Sequence, residues 1–189
     1  EMRTTVLGFA GLVATASAFT PTSFMPGMNK VTATRKSTVT GPTMAVKSGI
    51  NGFGRIGRQV ARIMIESDDA ELLHINAGSA TPDYMAYQYK YDSIHGRVGH
   101  EVAVEGDDMI LKGKRVLTTR ARDPAEIGWS KSGVEYLCES TGVFLTEEKA
   151  KAHVDAGVKK VIFSAPAKDE SLTVVMGVNQ DEYKGQTDY

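Results

Sequence analysis

From residue 45 onward, short apolar runs alternate with stretches whose apolar residues recur at helical spacing, the pattern of βαβ units around a mostly parallel sheet. Residues 45–50 read as a first strand. Residues 55–66 read as a helix, because Ile56, Val60, Ile63 and Ile65 recur near helical spacing. A second strand is expected over 71–76. Thr81 and Pro82 then supply a cap and a first helical residue for a helix over 84–91. Residues 100–105, 109–112 and 115–120 alternate as short strands broken by Gly106 and Gly113, an antiparallel insertion. A buried strand over 134–140 follows, then a helix over 146–156 with Glu147 and Glu148 in its first turn and Gly157 past its end. Further strands are expected over 158–165 and 172–178.

The first 45 residues lack this periodicity. Residues 2–18 open on Met2 and Arg3, run through a short apolar stretch and close on Ala16-Ser17-Ala18, a small-x-small cleavage pattern. Residues 1–18 therefore read as a signal peptide. Residues 19–45 begin with Phe19 and are rich in Ser, Thr and basic residues with no acid, the composition of a transit peptide. Such a bipartite leader resembles that of algae whose plastids lie inside extra membranes, so the plastid stroma is the expected destination. A secreted protein with a disordered tail is the alternative.

Charge follows the same division. Residues 1–65 carry eight basic residues and one acid, and residues 66–189 fourteen basic and twenty-two acidic. A composition of 41% hydrophobic and 24% charged residues belongs to a globular chain. The overall net charge of −1 gives no reason to expect a nucleic-acid partner. No apolar run approaches the roughly 18 residues a membrane span needs, so no membrane association is expected after processing. The lone Cys138 rules out an internal disulfide, and His74, His95, His100 and His153 have no metal-ligand spacing, so no metal is expected.

Gly52-Phe53-Gly54-Arg55-Ile56-Gly57 is a G-x-G-x-x-G run between the first strand and the first helix, where a dinucleotide-binding fingerprint belongs. Gly52 permits the tight turn, Gly54 lets main-chain amides approach a pyrophosphate, and Gly57 lets the helix pack closely on the strand. The helix amino terminus adds a partial positive charge. Arg58 and Arg62 read as solvating the outer face of that helix. At the end of the second strand, where the fingerprint places an acid for the adenosine ribose, the chain has Ala77. Removing that carboxylate removes its repulsion of a 2′-phosphate, so NADP is expected to be tolerated beside NAD. Ser79 could donate to the phosphate, and Asp83 is the alternative acid.

The segments Ile50 to Arg58, Tyr91-Asp92-Ser93-Ile94-His95-Gly96, Arg122-Asp123-Pro124, Glu139-Ser140-Thr141-Gly142-Val143-Phe144, Ser164-Ala165-Pro166 and Met176-Gly177-Val178-Asn179 together resemble the glyceraldehyde-3-phosphate dehydrogenase family over residues 46 to about 183. The resemblance implies an α/β, Rossmann-type NAD(P)-binding domain over 46–189 with a mostly parallel sheet, incomplete at its carboxy terminus. It implies an NAD(P)-dependent phosphorylating aldehyde dehydrogenase acting on glyceraldehyde 3-phosphate in glycolysis or plastid carbon fixation, assembled as a homo-tetramer. Carried over by position, Gly52, Phe53, Gly54, Arg55, Ile56 and Gly57 hold the pyrophosphate. Arg122 lies near the adenosine and is the candidate to face a 2′-phosphate, and Thr141 and Ser164 lie along the cofactor's path.

No catalytic residue is expected among these residues. The family's Ser-x-x-Ser-Cys-Thr-Thr run, which carries the nucleophile, has no match, so the chain is expected to be an inactive amino-terminal fragment. Cys138 lies in an apolar strand that raises its pKa, and His95 belongs to a structural segment. A stand-alone nucleotide-binding module and a sister enzyme acting on erythrose 4-phosphate are the alternatives.

Overall fold

A computed structural model describes residues 44–183. The expected signal peptide, and all but the last two residues of the transit-like segment, lie outside them. The chain runs β1 (Val46–Asn51), α1 (Arg55–Glu66), β2 (Ala70–Asn76), α2 (Pro82–Lys90), β3 (Tyr91–Asp92), β4 (Gly96–Arg97), β5 (Val102–Glu105), β6 (Asp108–Leu111), β7 (Lys114–Thr119), α3 (Pro124–Ile127), α4 (Trp129–Ser132), β8 (Tyr136–Glu139), α5 (Glu147–Asp155) and β9 (Lys160–Phe163), with a 3-10 turn at Gln180–Glu182.

Seven strands form one sheet in the order β5-β6-β7-β2-β1-β8-β9. β7, β2, β1, β8 and β9 are parallel, and β5 and β6 join antiparallel at the β7 edge. The chain builds outward from β1 to one side through β2 and β7, then returns to lay β8 against β1's other edge. The direction of winding therefore reverses between β1 and β8, which opens a crevice at their carboxyl ends. β3 and β4 pair separately as a two-stranded ribbon.

Successive residues of β8 point to opposite faces, and the core divides accordingly. Cys138 packs with Ile50, Ile65, Ile75, Met85, Tyr89 and Val116, on the side of α1 and α2. Leu137 packs with Trp129, Val134, Ala150 and Val161, on the side of α4 and α5. Both faces of the sheet are thus covered, as parallel strands require.

Three expectations need correction. Helix α1 buries Gly57, Ala61 and Ile65, while Ile56 and Ile63 are 53% and 69% exposed. These residues, spaced four apart, form the buried face, and Gly57 is where it approaches the end of β1 most closely.

Residues 172–178 form no strand. The Asn179 carboxamide accepts from Val175 N at 2.6 Å and donates to Thr173 O at 3.1 Å, which curls the backbone into a turn and occupies the groups a ladder would need.

The arginines of α1 do not simply solvate it. Arg62 donates to Tyr89 O through Nε at 3.1 Å and Nη2 at 2.6 Å, and to Gly96 O at 3.1 Å, fastening α1 to the end of α2 and to the β3–β4 ribbon. Arg58 donates to Phe53 O at 3.2 Å, and its Nε is buried without a hydrogen-bond partner.

Candidate functional site

At the carboxyl ends of β2, β1 and β8 lies a cleft of about 590 Å³. Its walls come from four chain segments: Asn51 to Gly54, Asn76 to Gly78, Ala121 with Arg122, and Ser140 to Phe144 apart from Gly142. Arg58 and Gln88 complete the lining. The size suits a cofactor. The lining holds two arginines and no carboxylate.

The glycine loop is shaped for close approach. Gly52 has φ +94°, and a Cβ placed there would lie 2.7 Å from Thr141 N and 2.8 Å from both Ser140 C and Thr141 Cγ2, so the loop and the turn after β8 touch with no room for a side chain at Gly52. Gly57 is tighter still, since a Cβ would fall 2.0 Å from Gly52 O. A Cβ on Gly54 would meet nothing within 4 Å and would project into open space. Gly54 is also the cap residue of α1, which has no capping side chain and no acid in its first turn. The amino-terminal dipole of α1 is therefore left uncompensated beside the cleft, an arrangement that attracts phosphate. With the orphaned Arg58 Nε, these features fit an anionic dinucleotide.

Of the residues singled out from the sequence, Gly52, Phe53, Gly54, Arg122 and Thr141 line this cleft, together with Ala77. Gly57 lies behind the loop. Ile56 is exposed, and the Arg55 side chain pairs with Asp92 Oδ1 at 3.6 Å. Asp92 is held below the usual carboxylate range, chiefly by main-chain hydrogen bonds from His95 and Ile94. Its contact with His95 Nδ1 at 3.2 Å gives that histidine a structural partner in the turn. Ser164 is not in the lining. It sits past β9, where its N–H donates to Glu139 O at 3.0 Å. Asp83, the alternative acid, stands in the first turn of α2 and is likewise outside the lining. Burial pushes the Cys138 thiol's pKa up.

Beneath the cleft runs a buried polar relay that periodicity did not reveal. The strand-end residues Thr119, Asn76, Asn51 and Glu139 are register partners across β7, β2, β1 and β8. Thr119 Oγ1 donates to Asn76 Oδ1 at 3.0 Å, Asn76 Nδ2 to Asn51 Oδ1 at 2.8 Å, and Asn51 Nδ2 to Glu139 Oε2 at 2.6 Å. His74 extends one end through Thr119 Oγ1 (3.0 Å) and Ser132 Oγ (2.9 Å). At the other end, His153 Nε2 faces Glu139 Oε2 at 3.3 Å, and Trp129 Nε1 donates to His153 Nδ1 at 3.2 Å. The sequence signal for this relay is that the apolar ends of three strands each close on a polar residue, Ile50-Asn51, Ile75-Asn76 and Cys138-Glu139.

Residues 46–147 match the family model described as glyceraldehyde 3-phosphate dehydrogenase, NAD binding domain. The chloroplastic glyceraldehyde-3-phosphate dehydrogenase of Guillardia theta is 66% identical over 186 residues, covering 97% of this chain and 48% of that protein. The glyceraldehyde-3-phosphate dehydrogenases of Priestia megaterium and Atriplex nummularia are 49% and 52% identical over 140 and 143 residues. They cover 74% and 75% of this chain, and 42% and 39% of their own lengths. The chain thus spans less than half the length of each of these relatives. With its doubly wound parallel sheet, its glycine loop at the winding reversal and this match, the chain belongs to the glyceraldehyde-3-phosphate dehydrogenase family, whose NAD-binding domain it carries.

Proposed function

We propose that this chain is the cofactor-binding part of a phosphorylating, NAD(P)-dependent glyceraldehyde-3-phosphate dehydrogenase of the plastid. The observation that carries this reading is the cleft where β1 and β8 diverge, walled by a glycine loop with open space above Gly54 and headed by the uncapped start of α1. In this reading the main chain of Gly52, Phe53, Gly54, Arg55, Ile56 and Gly57 embraces the pyrophosphate, Arg122 lies near the adenosine, Thr141 lies in the turn over which the cofactor passes, and Ser164 lies toward the nicotinamide side. When bound, the nicotinamide supplies hydride acceptance from the aldehyde carbon. The protein's own task here is to hold and orient it, and to keep water from the face against the cleft.

Tolerance of NADP follows from charge. Ala77 lines the cleft, the only charged side chains in the lining are Arg58 and Arg122, and nothing anionic there opposes a 2′-phosphate. The thiolate that attacks the aldehyde, the phosphate-binding groups and the surfaces for tetramer assembly belong to the substrate half of the family pattern. Buried Cys138 does not supply the thiolate. The plastid destination rests on the leader composition and on the similarity to the Guillardia theta protein named chloroplastic, which extends over 97% of the chain.

The test is calorimetric titration of the chain with NAD+ and NADP+. Binding of both is expected, and failure to bind either removes the reading. Joined to the substrate half of the Guillardia theta protein, the chain should reduce 1,3-bisphosphoglycerate with NADPH. A strict requirement for NADH defeats the role given to Ala77.

A further inference from the structure

Every polar atom of Thr141 that could meet a ligand as a donor is turned away from the cleft. Its main-chain N–H donates to Glu139 Oε1 at 2.8 Å, its hydroxyl donates to the same oxygen, and the hydroxyl oxygen accepts from Val143 N at 3.1 Å. Glu139 is wholly buried. Its second oxygen takes Asn51 Nδ2 and faces His153 Nε2.

The direction of these bonds is fixed from both ends. Ala121 N–H donates to Asn76 Oδ1 at 3.0 Å and Ala121 O accepts from Asn76 Nδ2 at 2.9 Å, so this carboxamide has one orientation. It offers Nδ2 to Asn51 Oδ1, which turns Asn51 Nδ2 toward Glu139. An indole N–H is a donor only, so Trp129 leaves His153 Nδ1 without a proton and puts the ring proton on Nε2, facing Glu139. Four donors therefore converge on one side chain: Asn51 Nδ2, His153 Nε2, and the N–H and hydroxyl of Thr141. Only an acceptor-only carboxylate satisfies all four. A glutamine would turn its NH₂ against one pair or the other.

We propose that Glu139 is a positioning residue for the dinucleotide site, acting through Thr141 to clamp the turn after β8 to the cleft floor. The inference rests on the reading that this cleft holds NAD(P). Because Thr141 N lies within contact of Gly52, the position of that turn sets the spacing between the cleft's two main-chain walls. Binding energy is then not lost to ordering the turn when the cofactor arrives.

The test uses the 189-residue chain with three variants: Glu139→Gln, Thr141→Val and, as a control for general destabilisation, Val116→Ala, a wholly buried β7 position outside the cleft lining. Three quantities are measured: the Kd for NAD+, the hydrogen exchange of the Thr141 amide without ligand, and the melting temperature. Glu139→Gln is expected to raise Kd by about tenfold or more and to speed Thr141 exchange by a similar factor. Val116→Ala should lower the melting temperature and leave Kd within about twofold.

Unchanged Kd and exchange in Glu139→Gln overturn the proposal, as does an equal loss of affinity in Val116→Ala. If Glu139→Gln does not fold, Thr141→Val decides, since it keeps the carboxylate with Asn51 and His153. It should weaken binding about threefold or more, and a Kd equal to that of the unsubstituted chain overturns the proposal. If the unsubstituted chain does not bind NAD+, the cofactor reading falls by itself. Thr141 exchange in Glu139→Gln then still decides whether the carboxylate holds the turn.

Discussion

Gly57 and Gly52 are packed so closely that a Cβ on Gly57 would lie 2.0 Å from the Gly52 carbonyl oxygen. Both partners in that clash are main chain, so no rotamer change relieves it. Gly57→Ala must push α1 off β1, and should destabilise the fold by about 3 kcal/mol or more in urea unfolding. Wild-type stability would show that the helix can shift freely.

Gly54 lies three residues earlier in the same loop and should behave in the opposite way. Its backbone, at φ −72°, accepts alanine, and the added methyl meets nothing. Gly54→Ala should change stability by less than about 1 kcal/mol. The methyl would occupy the space where a pyrophosphate approaches, so affinity for NAD+ should fall about tenfold or more by calorimetry. Loss of stability with affinity intact would reverse the roles given to the two glycines.

Ala77 tests the electrostatics of the cleft. Ala77→Asp places a carboxylate in a lining whose charged members are otherwise Arg58 and Arg122. It should weaken NADPH by about 1 to 3 kcal/mol and leave NADH unharmed, read as the two dissociation constants. Equal effects on both would mean that the 2′-phosphate lies elsewhere.

His74 gives stability a pH dependence. Burial lowers its pKa from 6.5 to about 4, with Asp108 opposing weakly. The unfolded chain therefore binds a proton that the folded chain refuses. Stability from this residue is complete above pH 6.5 and is lost as pH falls toward 4, by about 3 kcal/mol in all. Denaturant unfolding at pH 7 and pH 5 should show the decline, and His74→Gln should flatten it.

Cys138 should resist alkylation. The residue is 9% exposed, and burial raises the thiol's pKa. Iodoacetamide at pH 8 should label the folded chain roughly a hundredfold more slowly than the chain in urea. Rapid labelling without denaturant would show that β8 opens readily.

The sequence revealed most of what is repetitive. α1 spans the residues its pattern marks, and the glycine loop, the antiparallel edge and α5 lie where turn and cap residues put them. Less visible was anything decided by distant partners. α3 and α4 are four residues each, too short for a period, and are set by Asp123 accepting from Ala125 N and by left-handed Gly128 and Gly133. Apolar residues 172–178 look like a strand until Asn179 bends them back. Arg62 looks like a solvated charge because its acceptors, Tyr89 O and Gly96 O, lie 27 and 34 residues away. The cleft walls were largely legible, through the glycine motif, Ala77, Arg122 and Thr141. The polar relay beneath them was not, because Glu139 and His153 reach Asn51 across 88 and 102 residues.

Thr119, Asn76, Asn51 and Glu139 stand side by side across four adjacent strands. Sliding any one strand by a single residue would turn its polar end to the other face and strand its neighbours' donors in the dry interior. A slip would also carry each strand's buried apolar residues to the other face, and the directional hydrogen-bond chain adds to that cost. The row therefore ties the registers of all four strands to one another: only one mutual alignment satisfies every donor and acceptor along it.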